Sequence, residues 1–136
     1  MPAKKKVFVL DTSALIALRS NEPGADRVQT LMRRAEKGDC RLLVSFMSRM
    51  ELLYLILRKE GEDAAWNALR LLDSLTPEWV SCEPSILKAA ARLKAEGSLS
   101  VADSWIGATA IIREAVLVHR DPEFIPLDEI SQEVLG

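Results

Sequence analysis

The sequence predicts an α/β sandwich built on a short, mainly parallel sheet. Three observations lead there. Short β-prone apolar runs alternate with longer segments of helical spacing. The first run, Val7-Phe8-Val9-Leu10, is continuously apolar, the pattern of a strand covered on both faces. No linker, internal repeat or low-complexity tract divides the chain, so residues 1–136 read as one domain.

After the strand Val7–Leu10, Thr12 or Ser13 is placed to cap a short helix, Ala14–Leu18. Asn21-Glu22-Pro23-Gly24 is a turn. Ala25 to Lys37 repeats apolar residues at Val28, Leu31, Met32 and Ala35, which is helical spacing, and Gly38-Asp39 stops it. Arg41–Val44 reads as a second strand. Ser45 caps a strongly apolar helix from Phe46 to Lys59, closed by Gly61.

Another helix runs from Glu62 to Leu75 and ends at Thr76-Pro77, and Trp79-Val80-Ser81 reads as a short strand. Glu83-Pro84 opens a helix to Glu96, with Gly97 as its stop. Ser100 begins a further helix over Val101–Glu114. Val116–Val118 is a strand, and Phe124–Leu127 a weak edge strand because Pro126 lacks an N–H.

Composition removes several classes. With 49% apolar and 28% charged residues, the chain is neither a disordered tail nor a membrane protein. Lys4-Lys5-Lys6 before Val7–Leu10 imitates a signal peptide, but Asp11-Thr12-Ser13 breaks the apolar run at once. No stretch approaches the ~18 apolar residues of a membrane span, so a cytoplasmic protein without membrane contact is expected. Cys40 and Cys82 match no metal-knuckle spacing and read as buried thiols. A single histidine, His119, excludes a His-rich zinc site. The balance of 18 bases and 20 acids, net −2, argues at first against a nucleic-acid partner.

Four acids stand where chemistry is expected, since ligands of open α/β sheets bind at the carboxyl ends of strands. Asp11 directly follows the first strand, and Asp121 follows Val116–Val118. Asp103 sits at the start of a helix. Glu51 lies among apolar neighbours, sharing a helix face with Met47, Ser48, Tyr54 and Leu55. A carboxylate in such surroundings needs a cationic partner or a metal. Each acid also has a plainer reading. Ser100-x-x-Asp103 is a capping box, Asp121-Pro122 a helix start, Asp11 a turn residue, and Glu51 half of an ion pair or solvated. Taken together, carboxylates without a histidine cluster suit a hard, oxygen-loving cation, Mg²⁺ or Mn²⁺.

The segments Val7–Leu15, Ser45–Leu52, Leu99–Asp103 and Asp121–Phe124, taken in order, resemble the PIN-domain family. Within it the chain is similar to the small VapC-type toxin ribonucleases of type II toxin–antitoxin modules. The resemblance implies a PIN-like α/β/α sandwich and a Mg²⁺- or Mn²⁺-dependent endoribonuclease that hydrolyses RNA phosphodiesters. It further implies that Asp11, Glu51 and Asp103 hold the principal metal and that Asp121 completes the cluster. Ser13 matches a position whose hydroxyl supports that site. A homodimer and a cognate antitoxin protein are implied as well.

One departure stands out. Family members often carry a small hydroxyl residue two positions before the last acid, where this chain has His119, followed by Arg120. Arg120 is the better candidate for contact with RNA phosphate, its alternative being an exposed strand end. Glu123 and Asp128 stand near enough to compete for the fourth acidic position. Arg49 stands on a different helix face from Glu51 and is expected in water. Trp66, Trp79 and Trp105 are expected to pack in a core or a dimer interface, with Trp105 the one near Asp103.

Two other classes compete. A haloacid-dehalogenase-like phosphatase needs a second acid two residues after the first, where Ser13 stands, and a receiver domain needs a late lysine, where His119-Arg120 stands. A PIN-fold binding module without turnover is the non-enzymatic alternative. The charge balance does not decide among them. With Asp11, Glu51, Asp103 and Asp121 committed to cations, 16 acids remain against 18 bases, and the rest of the chain is +2.

Overall fold

The computed structural model describes residues 4–75 and 77–136; Thr76, part of the expected helix stop, lies outside them. β1 (Lys6–Leu10) leads into α1 (Thr12–Arg19) and α2 (Ala25–Glu36), then β2 (Cys40–Ser45), α3 (Phe46–Glu60) and α4 (Glu62–Ser74). β3 (Glu78–Val80), α5 (Pro84–Glu96), α6 (Val101–Ile112), β4 (Val116–His119) and β5 (Gln132–Val134) complete the order, with a 3₁₀ turn at Pro122–Phe124. Every strand pairing is parallel, and the sheet order is β3-β2-β1-β4-β5.

Alternation along β1 assigns its side chains to two cores. Phe8 and Leu10 pack with Leu42, Val44 and Val118 under the helices α1 to α4. Val7 and Val9 pack with Leu43 and Leu117 under α5 and α6. Because β1 is the middle strand, both faces are dry, which is why its sequence shows no polar alternation. The result is an α/β/α sandwich. No described helix is long and apolar enough to cross a membrane.

Local chemistry sets the boundaries. Ser45 accepts from the Met47 N–H at 3.1 Å and caps α3. Ser100 accepts from the Asp103 N–H at 3.1 Å and caps α6. Pro84 occupies the first turn of α5. At Gly24 (φ 99°) a Cβ would stand 2.7 Å from the Leu135 Cβ, so only glycine lets the start of α2 close on the C-terminal segment.

The structure corrects the expected elements in several places. Asp11, not Thr12 or Ser13, caps α1: its Oδ2 accepts from the Ser13 N–H, the Ser13 hydroxyl donates to that same oxygen, and the Thr12 hydroxyl donates to Glu51. Phe124–Leu127 is not a strand. Phe124 ends the 3₁₀ turn with its ring fully buried, and the edge strand is Gln132–Val134, paired with β4. α6 ends at Ile112, two residues early, with Glu114 at φ 50°. Cys40 is buried as expected, but Cys82 is exposed. Trp66 is 43% exposed, so of its two expected places the core is not the one it takes.

Candidate functional site

The strand order sends connections to opposite sides of β1, so a crevice opens at the carboxyl ends of β1 and β4. Asp11 leaves β1 there, its N–H donating to the Val118 carbonyl at 3.0 Å. Asp121 follows β4 closely. Glu51 is carried in by α3, which starts where β2 ends, and Asp103 by the first turn of α6. All four predicted acids therefore reach one place, and their charges act on one another.

One wall of the site is held by hydroxyls. Oδ2 of Asp11 accepts from the Ser13 hydroxyl at 2.5 Å and from the Ser13 N–H at 3.2 Å. The same Ser13 oxygen accepts from the Arg120 N–H at 2.9 Å, which joins α1 to the segment after β4. Thr12 donates its hydroxyl to Oε1 of Glu51 at 2.5 Å. Asp11 is 2% exposed, and its Oδ1 is buried without any hydrogen-bond partner.

The other wall is a group of acids facing one another. Asp103, Asp121 and Glu123 each offer a carboxylate oxygen within 4.8 Å of the others. Asp121 is oriented by its Oδ1, which accepts from the Glu123 N–H at 3.0 Å. Asp128, the other acid near the fourth position, is not in this group.

Electrostatics follow from that crowding. The Asp103 carboxyl is pushed up to about 8, first by burial, then by the charges of Asp11 and Asp121 and by a hydrogen bond with Asp121. Burial also raises the Asp11 carboxyl, against the lowering effect of its bonds to Ser13. An oxygen-only donor set, a buried carboxylate oxygen with no partner and mutual repulsion fit a hard divalent cation. A cation would remove both penalties at once.

The remaining candidates divide. Arg120 is half-buried, and its Nη1 meets Oε1 of Glu22 at 2.9 Å. His119 is fully buried. Arg49 is not simply solvated: its guanidinium lies 4.3 Å from the Trp79 ring centroid and pairs with Asp73. Trp105 sets its ring edge-on against Phe46, with centroids 5.1 Å apart.

Two site features escaped the sequence reading. Thr12, which the sequence places as a helix cap, donates instead to Glu51, 39 residues away. Its position beside Asp11 at a strand end was the available signal. Glu123, in the sequence a rival to Asp121 for one position, stands in the same group with it.

The PIN domain family profile matches residues 8–130. No curated protein matches the chain. Among solved structures, VapBC2 from Rickettsia felis, bound to a DNA fragment from its promoter, superposes with a TM-score of 0.77 at 16% identity, covering 96% of this chain and 99% of that one. DNA-bound VapBC from Salmonella typhimurium gives 0.75 at 20% identity, over 96% and 98%. VapC20 from Mycobacterium tuberculosis, a sarcin–ricin-loop-cleaving toxin, gives 0.69 at 16% identity, over 89% and 95%. At these identities the structural likeness speaks for the fold.

Proposed function

Since the chain belongs to the PIN-domain family, we propose that it is a Mg²⁺- or Mn²⁺-dependent endoribonuclease, the toxin of a type II toxin–antitoxin module. The observation that carries this reading is that Asp11, Glu51 and Asp121 all raise the proton affinity of Asp103, while Asp11 keeps a buried Oδ1 without a partner. A receptor for a neutral or anionic ligand would not gather four carboxylates, since each raises the cost of ionising the others.

Asp11, Glu51 and Asp103 would hold the principal cation, with Asp121 completing the set and Glu123 beside it. When bound, the cation supplies Lewis-acid activation of water and neutralises charge developing on the phosphodiester. The protein's own part is orientation. Ser13 occupies Oδ2 of Asp11 and leaves Oδ1 for the cation, while Thr12 fixes one oxygen of Glu51 and leaves the other. Asp103 stands in the first turn of α6, where the helix dipole favours its charged form and partly offsets its burial. Arg120 is the residue assigned to an RNA phosphate, a contact for which it would exchange Glu22.

The partner reading follows from the VapBC complexes among similar structures. An apolar groove of about 230 Å³ among α1, α3 and α4, lined by Leu15, Leu18, Leu52, Leu71, Leu72 and Leu75, offers an antitoxin segment a face on which to bury side chains. We assign a cytoplasmic homodimer as the working assembly.

The direct test is to incubate purified, antitoxin-free protein with structured RNAs and Mg²⁺ or Mn²⁺. Cleavage that resists EDTA, or that survives Asp11→Asn, would falsify the metal-nuclease reading. Cation binding without any cleavage would favour the binding-module alternative.

A further inference from the structure

His119 has no exposed surface, yet both ring nitrogens are engaged. Its Nδ1 accepts from the Asp121 backbone N–H at 3.0 Å, and its Nε2 meets Oε1 of Gln132 at 2.8 Å. A backbone N–H can only donate, so Nδ1 carries no proton, and Nε2–H donates to Gln132. The amide nitrogen of Gln132 donates in turn to the carbonyls of Phe124 at 2.7 Å and Leu127 at 3.0 Å. Phe124 packs edge-on against the imidazole, with centroids 5.1 Å apart.

These bonds all act on the segment that carries Asp121 and Glu123. That segment has one 3₁₀ turn and no ladder of its own, so its course is set by what grips it. Ser13 holds its first residue at the Arg120 N–H, His119 holds the next, and Gln132 holds two carbonyls farther on. The farthest of these holds comes from β5, an element that contributes no acid to the site.

We propose that His119 and Gln132 are positioning residues: a buried imidazole–amide clamp that sets where the Asp121 carboxylate stands relative to Asp103. Its functional consequence rests on the cation-site reading, but the clamp itself does not. Neutral imidazole is suited to this place because it accepts on one side and donates on the other, whereas serine or threonine would not span from the Asp121 N–H to Gln132.

His119 is the chain's only histidine, so selective nitrogen-15 labelling of histidine reports this ring alone. The expected spectrum shows a neutral ring with Nδ1 unprotonated and Nε2 protonated. His119→Asn keeps an acceptor near the Nδ1 position, and His119→Leu removes it. Hydrogen exchange at the Asp121 amide should quicken about tenfold in His119→Leu and stay near the wild-type rate in His119→Asn, as for loss and retention of one buried hydrogen bond. Gln132→Leu tests the same clamp from its less buried end, should His119→Leu not fold.

Mn²⁺ affinity, measured by calorimetry, should fall about tenfold in His119→Leu and no further when Asp121→Asn is already present. A protonated Nδ1, or an Asp121 amide as well protected without His119 as with it, overturns the clamp. An affinity loss that persists undiminished beside Asp121→Asn overturns its route through Asp121. If Asp11→Asn leaves Mn²⁺ binding unchanged, the cation-site reading has failed instead, and tautomer and exchange still decide the clamp.

Discussion

Asp11 and Glu51 each give one oxygen to a neighbouring hydroxyl, whereas Asp103, Asp121 and Glu123 face one another with no hydroxyl between them among the described residues. The first pair therefore has fixed directions before any ligand arrives. The second group has strong repulsion and is held through backbone N–H groups instead, and Asp103 answers by holding its proton to about pH 8. Two ways of assembling carboxylates meet across one crevice. One relies on orientation by α1, the other on relief by a cation.

Removing an acid from the oriented wall should have the largest effect. Asp11→Asn is expected to lower RNA cleavage more than ~100-fold, because even outer partners of metal ligands commonly cost ~10–100-fold. Timed cleavage assays at saturating Mn²⁺ measure it, and a loss smaller than tenfold would place the chemistry elsewhere. Thr12→Val keeps the shape of the side chain and removes only the donor to Glu51. Its expected cost is about tenfold in Mn²⁺ affinity, read by calorimetry. An unchanged affinity would mean that Glu51 needs no orienting bond, and the contrast between the walls would fail.

The repelling wall makes a prediction about pH. The Asp103 carboxyl is raised from 3.8 to about 8, so the folded state binds its proton more tightly than the unfolded chain does. Its contribution to stability is present at low pH and is lost as pH rises from about 4 towards 8. Urea unfolding of cation-free protein should show this decline, and Asp103→Asn should flatten it. Mn²⁺ binding should tighten over the same window and release a proton, visible when calorimetry is repeated in buffers of different ionisation heat. A pH-independent affinity between about 5 and 8 would contradict the assignment of Asp103.

Glu123→Gln should give the smallest change. Its side chain is exposed, and solvent screens its charge, so a weakening of about threefold in Mn²⁺ affinity is expected, equivalent to under ~1 kcal/mol. A loss comparable to that of Asp11→Asn would show that Glu123 is a principal ligand and would erase the distinction between exposed and buried acids in this crevice.

Much of the fold was legible because burial writes itself into local patterns. Val7–Leu10 is apolar throughout because it is the middle strand, and Ser45, Ser100 and Pro84 mark helix starts through bonds or backbone geometry made within a turn. β5 was not legible. Gln132-Glu133-Val134 has a single apolar residue, and it is a strand because β4 offers it a free edge. Phe124–Leu127 misled because only Phe124 fills the core, from within a 3₁₀ turn, while Ile125 faces solvent. Glu51 was legible as an acid needing a partner, but not its bond to Thr12.

The sequence by itself determined the alternation of strands and helices, the two dry faces of β1 and the types of residue brought to the strand ends. These depend on periods of two and about four residues, which neighbours along the chain suffice to express. Only the tertiary structure decided which acids are oriented and which repel, that Glu123 joins them, and that the lone histidine is buried as a clamp rather than exposed at a strand end. Hydrogen bonds and Coulomb forces depend on distance in space. Residues far apart in the chain acquire that distance only when the parallel sheet aligns the carboxyl ends of β1 and β4.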